Sequence, residues 1–407
     1  MFYRFWFSKE EEVNKVMAIK KGFTKLFFSF FSILFSTSIF LSEANAAEDV
    51  NRYIFVPNRA SADIAVIDTV TDELIRRIEV GSVPHQVVVS DKLDKLAVTN
   101  SADNTLSIID LNTFLVVSTV ELGEEPEHIA INPSGDVIAV GNIGGGSISF
   151  VSLNKGSELK RVSGLYEPHN MTFNSDGSHL FVGNLGANIV SVINVNDARV
   201  EEEISIGEHK TIASTHLSES EYQGIINITS TPNGKLGFAA YGEGDVMAII
   251  DMELQKVIRN VELGNLPWRA FASPDGAHML VPNNGDRTIS VFSTKTLEEI
   301  ARLPGGEDMT GINIGWFDSL AYVISRGENK LIVLDLISMK KVNEIPLLST
   351  PETGVITPDG KKLYVALSSS DEVAVVDVRQ MKIVKRIGNV GEEPWGVHML
   401  GAINYCH

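Results

Sequence analysis

The chain has 407 residues, of which 44% are hydrophobic and 33 are glycine, and its formal net charge is −18. That length supports a large core or one repeat array, and the acidic balance argues against nucleic-acid binding because it repels phosphate backbones. The single cysteine, Cys406, excludes an intramolecular disulfide, and the lack of a Cys-x-x-Cys-His motif excludes the usual covalent attachment of c-type haem.

Residues 18–46 have the three parts of a secretory signal peptide. Basic residues open the segment, an apolar run of about 16 residues follows, and Ala44-Asn45-Ala46 has the small-x-small pattern of a cleavage site. The run is short of the roughly 20 residues that a membrane-spanning helix needs, which favours cleavage over an anchor. Met17 is an alternative start, because the residues before it are charged. We therefore predict that residues 1–46 are removed, leaving a periplasmic or secreted protein without a membrane span.

A short apolar segment ending in a turn residue recurs along the rest of the chain. Its repeats are 42 residues apart, except for one interval of 57. Seven intervals define eight units, one of which carries a 15-residue insertion. The turn residues are Asp68, Asp110, Ser152, Asn194, Asp251, Ser293, Asp335 and Asp377.

Each unit has the pattern of four short strands. A Gly-x-x-Pro-like turn precedes the first strand, and a turn such as Ser273-Pro274-Asp275-Gly276 follows it. The fourth strand is rich in charged residues, as expected for an edge exposed to water. Four-stranded units of this length are typical of propeller blades. We therefore predict an all-β fold, with residues 47–407 forming one eight-bladed β-propeller domain.

The two ends of the chain predict a closed ring rather than an open solenoid. Residues 51–56 have the pattern of a second strand, so the first unit lacks its own first strand. Residues 394–400 have the pattern of a first strand with nothing after it. The C-terminal strand would complete the N-terminal blade and pair backbone groups that would otherwise lack partners.

In propellers the first strand of each blade lines the central channel, and ligands collect where several blades converge at its mouth. Three of the nine histidines follow the blade proline, or come one residue later, on three consecutive blades. Two tryptophans hold equivalent positions, and arginines follow the ends of two second strands at Arg59 and Arg326. The candidate ligand-binding residues are His85, His128, His169, Trp268, Arg269, Arg326, Trp395 and His398.

The functional interpretation of this set is a pocket with imidazoles on one side and Trp and Arg on the other. Neutral imidazole binds copper, zinc or haem iron, so His85, His128 and His169 are candidate metal ligands. Glu127 is the only nearby residue in sequence that would support them. The structural interpretation is that these residues form the turn that enters the first strand, and that each ring packs on the neighbouring blade. His128 lies one residue later than its counterparts, so the sequence does not determine which way its side chain points.

Three further features lie close to the same mouth. Asparagines that end the second strands are interpreted as structural, because Asn tolerates left-handed turns. The glycine run at Gly144-Gly145-Gly146 lies between a second and a third strand and therefore predicts a hairpin turn rather than a phosphate loop. The insertion at residues 208–224 precedes a first strand, so we expect it to overhang the mouth, either as a lid or as a solvated loop.

The repeat resembles the YVTN-type propeller family, through the stretch from Asp103 to Asp110 and that from Pro274 to Asn284. The match covers nearly all of residues 51–402 and implies a β-propeller fold. Eight blades make the chain similar also to the haem d1 domain of cytochrome cd1 nitrite reductase and to haem d1 biosynthesis proteins. That resemblance implies a carboxylate-rich tetrapyrrole over the channel with histidine and arginine contacts. By position, these would come from His85, His128, His169, Arg269 and His398.

The leading functional hypothesis is an exported binding or accessory propeller whose channel mouth takes a small anionic or metal-containing ligand. The second is a copper-dependent or haem d1-related oxidoreductase, or a tetrapyrrole-biosynthesis protein. A complete nitrite reductase is not expected, because the cytochrome c half is absent. The third is a scaffold for a periplasmic protein partner. The sequence names no substrate, and it leaves enzymatic activity open.

Overall fold

The computed structural model describes residues 52–213, 220, 222–315 and 317–400, and these residues form eight four-stranded antiparallel sheets. The predicted signal segment, Met17 and Cys406 lie outside the described residues. Among the residues described, no helix combines the length and the apolar character needed to cross a membrane.

Each blade consists of four strands, which we call the inner, second, third and outer strand. The inner strands of blades 1 to 8 are β32 (His398–Met399), β4 (Pro84–Ser90), β8 (Pro126–Ile131), β12 (Pro168–Phe173), β16 (Ile228–Ser230), β20 (Phe271–Ala272), β24 (Met309–Gly315) and β28 (Pro351–Ile356). The second strands are β1 (Tyr53–Asn58), β5 (Lys95–Asn100), β9 (Val137–Asn142), β13 (His179–Asn184), β17 (Leu236–Tyr241), β21 (His278–Asn283), β25 (Leu320–Ser325) and β29 (Lys362–Leu367).

The third and outer strands complete the blades. The third strands end at the eight predicted turn residues and are β2 (Asp63–Asp68), β6 (Thr105–Asp110), β10 (Ser147–Ser152), β14 (Ile189–Asn194), β18 (Val246–Asp251), β22 (Thr288–Ser293), β26 (Lys330–Asp335) and β30 (Glu372–Asp377). The outer strands are β3 (Glu73–Glu79), β7 (Leu115–Glu121), β11 (Ser157–Ser163), β15 (Arg199–Ser205), β19 (Lys256–Glu262), β23 (Glu298–Pro304), β27 (Lys340–Pro346) and β31 (Lys382–Gly388). A 3₁₀ turn, Ser368–Ser370, lies between β29 and β30.

The eight-bladed all-β fold predicted from the repeat is confirmed, and so is its closure by the C-terminal strand. β32 pairs antiparallel with β1 and thereby completes blade 1. The same strand contacts β28 on one side and β4 on the other, so the inner strands form a continuous ring. The apolar core lies between blades, as where Val56 of blade 1 packs in one buried cluster with Val355 and Tyr364 of blade 8.

The asparagines that end the second strands tie each blade internally. In blade 3 the Asn142 amide donates to the hydroxyls of Ser147 at 3.1 Å and Ser149 at 2.9 Å, both on the adjacent third strand. Such a buried amide fixes the turn between two strands, which supports the structural interpretation. The fully buried members of this series are Asn58, Asn100, Asn142, Asn184 and Asn283.

Replacing Asn142 with alanine should destabilise the protein, because it leaves two buried hydroxyls without their donor. A lost buried hydrogen-bonding group costs about 1–3 kcal/mol. Urea denaturation followed by circular dichroism should show this loss in the free energy of unfolding. Asn112→Ala, at an exposed turn position, is the matched control and should change it by less than about 0.5 kcal/mol. Equal effects for the two variants would contradict the structural role.

Candidate functional site

The inner strands of three consecutive blades begin with a β-bulge that carries the candidate residues. In blade 2, His85 and Gln86 together lie opposite Thr99, because the pairing register shifts between Pro84 and Val87. The inner strands of blades 3 and 4 contain the same shift. A bulge changes the direction of a side chain relative to the regular alternation of a strand. The bulge therefore allows sequence neighbours to approach one site at the channel mouth.

Small or hydroxyl-bearing residues opposite the bulges let neighbouring blades approach closely. The Thr99 hydroxyl donates to the backbone carbonyl of Glu127 at 2.7 Å. At the corresponding place in blade 3, a Cβ on Gly141 would lie 2.8 Å from the carbonyl oxygen of Pro168. A side chain there would push blade 4 away from blade 3. The local sequence of each second strand thus sets the position of the next blade's bulge.

Four side chains from blades 2, 3 and 4 converge at this place, and we call them the imidazole cluster: His85, Glu127, His128 and His169. The Nε2 atoms of His85 and His128 each lie 3.9 Å from Oε2 of Glu127. The Nε2 atoms of His128 and His169 are 2.7 Å apart, and the ring centroids of His85 and His128 are 5.1 Å apart. The three histidines are buried, whereas the Glu127 side chain is 27% exposed. The cluster therefore has one edge open to solvent.

A backbone carbonyl fixes the tautomer of His169. Its Nδ1 lies 2.9 Å from the carbonyl oxygen of Ile226. A carbonyl can only accept, so Nδ1 carries the proton and the neutral ring presents the lone pair of Nε2 to the cluster. His85 makes the corresponding contact two blades earlier, with a hydrogen bond to the backbone of Glu127. Metal-binding histidines commonly have this arrangement, in which one ring nitrogen bonds a carbonyl and the other is the ligand.

His85 and His169 are uncharged at neutral pH. Burial lowers the pKa of His85 to about 3, and the positive charge of Arg59 lowers it further, against a hydrogen bond to the Glu127 backbone. Burial likewise lowers the pKa of His169 to about 4, while the negative charge of Glu127 opposes the shift. Burial raises the pKa of Glu127, and Arg59, together with His169 once it is protonated, acts in the opposite direction. Protons therefore do not compete for the ring nitrogens of His85 and His169 at pH 7.

Trp395 and Arg59, both of blade 1, lie beside the cluster. The Trp395 ring centroid is 6.2 Å from that of His85, and the Arg59 guanidinium lies 4.3 Å from the centre of the Trp395 ring, a cation–π contact. The sequence placed Arg59 only beside the end of a second strand. The structure brings it into electrostatic range of both His85 and Glu127.

Trp268 lies in a different environment from Trp395. It is buried in a cluster with Leu185 and Ile226, and its ring centroid is 5.4 Å from that of Tyr222. Its neighbour Arg269 is 1% exposed, and its positive charge contributes to the lowered pKa of His169. Trp268 thus packs between blades, whereas Arg269 influences the imidazoles through its charge.

Arg326 and His398 occupy other parts of the mouth and channel. Arg326 forms ion pairs with Asp308 at 2.6 Å and with Glu352 at 3.5 Å, between blades 7 and 8. His398 of blade 1 is fully buried, and burial together with repulsion from the protonated form of His85 lowers its pKa to about 3. The sequence-predicted residues therefore do not all form one set. The rings of Trp395, His85, His128 and His169 contact one another in that order, and Arg326 belongs to a separate ion-pair network.

The described part of the insertion lies on the mouth face. The backbone amide of Ala213 donates to the carbonyl of Gly186 at 2.8 Å, and the Tyr222 hydroxyl accepts from the Asn284 amide at 3.0 Å. These contacts attach the insertion to blades 4 and 6, as expected for a segment that overhangs the mouth. Residues 214–219 and 221, including His216, lie outside the described residues. The glycine run at Gly144 forms the hairpin turn between β9 and β10, as predicted.

Several solved structures share this architecture. A dihydro-heme d1 dehydrogenase NirN in complex with DHE aligns with a TM-score of 0.68 and 13% sequence identity over 87% of this chain and 76% of its own. A hydrazine synthase from Kuenenia stuttgartiensis aligns with a TM-score of 0.55 and 19% identity over 72% and 95%. The computationally designed Ika8 protein aligns with a TM-score of 0.64 and 13% identity over 80% and 93%. At these identities the likeness concerns the fold, and no curated protein matches the sequence.

The resemblance to propeller families inferred from the repeat, including the haem d1 propeller, is confirmed at the level of the fold. A family model for YNCE-like β-propellers matches residues 92–404, which is most of the chain. The chain therefore belongs to the YNCE-like β-propeller family.

Proposed function

We propose that this protein is an exported binding propeller whose channel mouth holds a divalent transition-metal ion in the imidazole cluster. The observation that carries the proposal is that one ligand atom each from His85, Glu127 and His128 lie within 4.8 Å of one another. Metal–ligand bonds of about 2.0–2.2 Å place two ligands of one ion roughly 3–4 Å apart. The 3.9 Å separations of Glu127 Oε2 from both ring nitrogens fall in this range.

We infer that His169 moves in as a fourth ligand when the ion binds, because it lies beside His128 but outside the group of donor atoms already within 4.8 Å of one another. Its Nε2 lies 2.7 Å from Nε2 of His128 and carries the fixed lone pair described above. A metal ion replaces the hydrogen bond between these two rings when the nitrogens separate by a few tenths of an ångström. His128 then carries its single proton on Nδ1 instead of Nε2, so the Nε2 lone pair faces the ion and the ring stays neutral. Export rests on the signal pattern of residues 18–46.

The donor set favours copper or zinc. Imidazole suits both ions, and the general order of affinities among divalent metals places copper highest. Three imidazoles and one carboxylate fill four positions, as in closed sites, whereas catalytic zinc sites keep one position open. The geometry therefore supports retention or delivery of a metal ion better than turnover of a substrate at that ion.

Metal titration of the purified protein tests the proposal. We expect isothermal titration calorimetry with Cu²⁺ or Zn²⁺ to give one tight site per chain, and His128→Ala or Glu127→Gln to weaken binding by about 10–100-fold or more. His179→Ala is the matched control, because His179 begins the second strand β13, at the opposite end from Asn184, and bonds Ser178 and Glu201. Unchanged affinity in both cluster variants, or equal loss in the control, would refute the assignment.

A tetrapyrrole is the second candidate ligand, and the contact of Arg59 with Trp395 beside His85 favours it. An aromatic ring would stack on a macrocycle, an imidazole would ligate its metal, and an arginine would pair with its carboxylates. The structurally similar NirN was solved in complex with DHE. Titration with haem distinguishes the two candidates. A shifted absorption band that Trp395→Leu abolishes would select the macrocycle, and an unchanged spectrum would select the bare ion.

A further inference from the structure

Two hydrogen bonds from blade 2 hold the bulge of blade 3 on either side of its histidine. The Thr99 hydroxyl donates to the carbonyl of Glu127 at 2.7 Å, and the side-chain oxygen of Gln86 accepts from the amide of Ile129 at 2.8 Å. His128 lies between these two bonded residues. Because Gln86 directly follows the histidine of blade 2, the same bonds fix that histidine relative to the proposed ligands of blade 3. We call Gln86 and Thr99 the blade 2–3 clamp.

The contact between blades 3 and 4 is made differently. Gly141 holds the position that Thr99 holds one blade earlier, and it has no hydroxyl that could donate to the carbonyl of His169. The amide of Met171 corresponds to the clamped amide of blade 3, but it donates to the side-chain oxygen of its own neighbour Asn170 at 2.9 Å. At these positions of the described chain, blade 3 therefore makes neither bond of the clamp to blade 4.

Blade 5 holds His169 instead. Its Nδ1 bonds the carbonyl of Ile226 at 2.9 Å, and the amide of Asn170 donates to the same carbonyl at 3.2 Å. Its Nε2 lies outside the group of three donor atoms that are within 4.8 Å of one another. The imidazole cluster therefore consists of two parts, which are three donors fixed between blades 2 and 3 and a fourth donor that belongs to blades 4 and 5.

We propose that His169 is the exchangeable ligand of the metal site, and that the blade 2–3 clamp keeps the other three donors in place while His169 leaves and returns. This inference rests on the proposed function and states how the site hands over its ion. A site with three protein ligands and one open position accepts an outside ligand. The bond from Nε2 of His169 to the ion breaks and the bond from the incoming donor forms. The ion keeps its oxidation state, and His169 stays neutral with its proton on Nδ1.

Added imidazole tests the exchange, because its effect should have opposite signs in two proteins. In the wild-type protein it competes with His169 and should speed the transfer of Cu²⁺ to excess EDTA. His169→Ala should transfer Cu²⁺ about tenfold faster than the wild type, and imidazole should slow this variant because it fills the vacated position. Electron paramagnetic resonance should show one coordinating nitrogen fewer in His169→Ala and the wild-type number once imidazole is added. The loss of Cu²⁺ affinity should be about tenfold smaller than in His128→Ala.

Thr99→Val tests the clamp, because it removes the hydroxyl and keeps the shape of the side chain. We expect it to weaken Cu²⁺ binding about tenfold and to change the nitrogen signature of the bound ion. Thr310→Val is the matched control, since the Thr310 hydroxyl donates to the equivalent carbonyl of blade 8, that of Glu352, at 2.9 Å. Both variants should lose similar stability in urea denaturation, but only Thr99→Val should change Cu²⁺ binding.

The outcomes separate this inference from the proposed function. If the wild type binds Cu²⁺ but imidazole does not speed its transfer, or if His169→Ala keeps the wild-type nitrogen number, His169 is not the exchangeable ligand and the metal site stands. Equal changes in Cu²⁺ affinity for Thr99→Val and Thr310→Val would refute the clamp. A wild-type protein that binds neither Cu²⁺ nor Zn²⁺ would refute the metal site and the exchange together.

Discussion

Deletion of residues 389–407 should abolish cooperative folding of the propeller. The deletion removes β32 and three buried apolar side chains, Val390, Val397 and Met399, which are at most 2% exposed. Burial of such side chains contributes roughly 1.5–3 kcal/mol each. The amide of Asn58 also loses its partner, the Val390 carbonyl at 2.8 Å. Together, the lost apolar burial and the lost hydrogen bond approach the whole free energy of unfolding of a typical domain, about 5–15 kcal/mol.

Urea denaturation monitored by circular dichroism and tryptophan fluorescence measures this effect. A shorter deletion of residues 401–407 is the control, because it keeps β32 and should preserve a cooperative transition. If the longer deletion also unfolded cooperatively at the wild-type urea concentration, the ring would not depend on the strand that closes it.

Acid should destabilise the metal-free protein well above the pH at which its carboxylates protonate. His85, His169 and His398 have folded-state pKa values of about 3, 4 and 3, below the ordinary value of 6.5. As the pH falls, the unfolded chain therefore binds protons before the folded chain does. The stabilisation is fully present above pH 6.5 and is lost progressively towards pH 3–4. Each residue contributes about 1.4 kcal/mol per pH unit, or about 4 kcal/mol per unit for the three, well below pH 6.5.

Glu127 acts in the opposite direction in the same experiment. Its raised pKa means that the folded chain takes up this proton before the unfolded chain does, which offsets part of the loss at the acid end. Free energies of unfolding measured between pH 7.5 and 4.5, with a chelator present, should fall steeply below pH 6. The double variant His85→Gln, His169→Gln should flatten this slope by roughly two thirds. An equally steep slope in that variant would show that these imidazoles are not held neutral by the fold.

The sequence by itself determined the blades and their closure. The interval of 42 residues fixes the blade length, and a first strand at residues 394–400 needs the second strand at residues 51–56 as its partner. Both are local patterns of alternation and turn chemistry, which depend on residues close in the chain. The structural role of Asn142 and its counterparts was also predictable, because the same residue recurs at the same turn.

Only the tertiary structure decided which candidate residues meet. The bulge in β8 brings Glu127 and His128 to one cluster, although regular alternation would separate them. Two tryptophans at equivalent repeat positions have different neighbours, since Trp268 packs against Tyr222 of the insertion and Trp395 lies beside His85. The physical reason is that side-chain direction and contact between blades depend on register shifts and on residues far apart in the chain. A repeat pattern specifies neither.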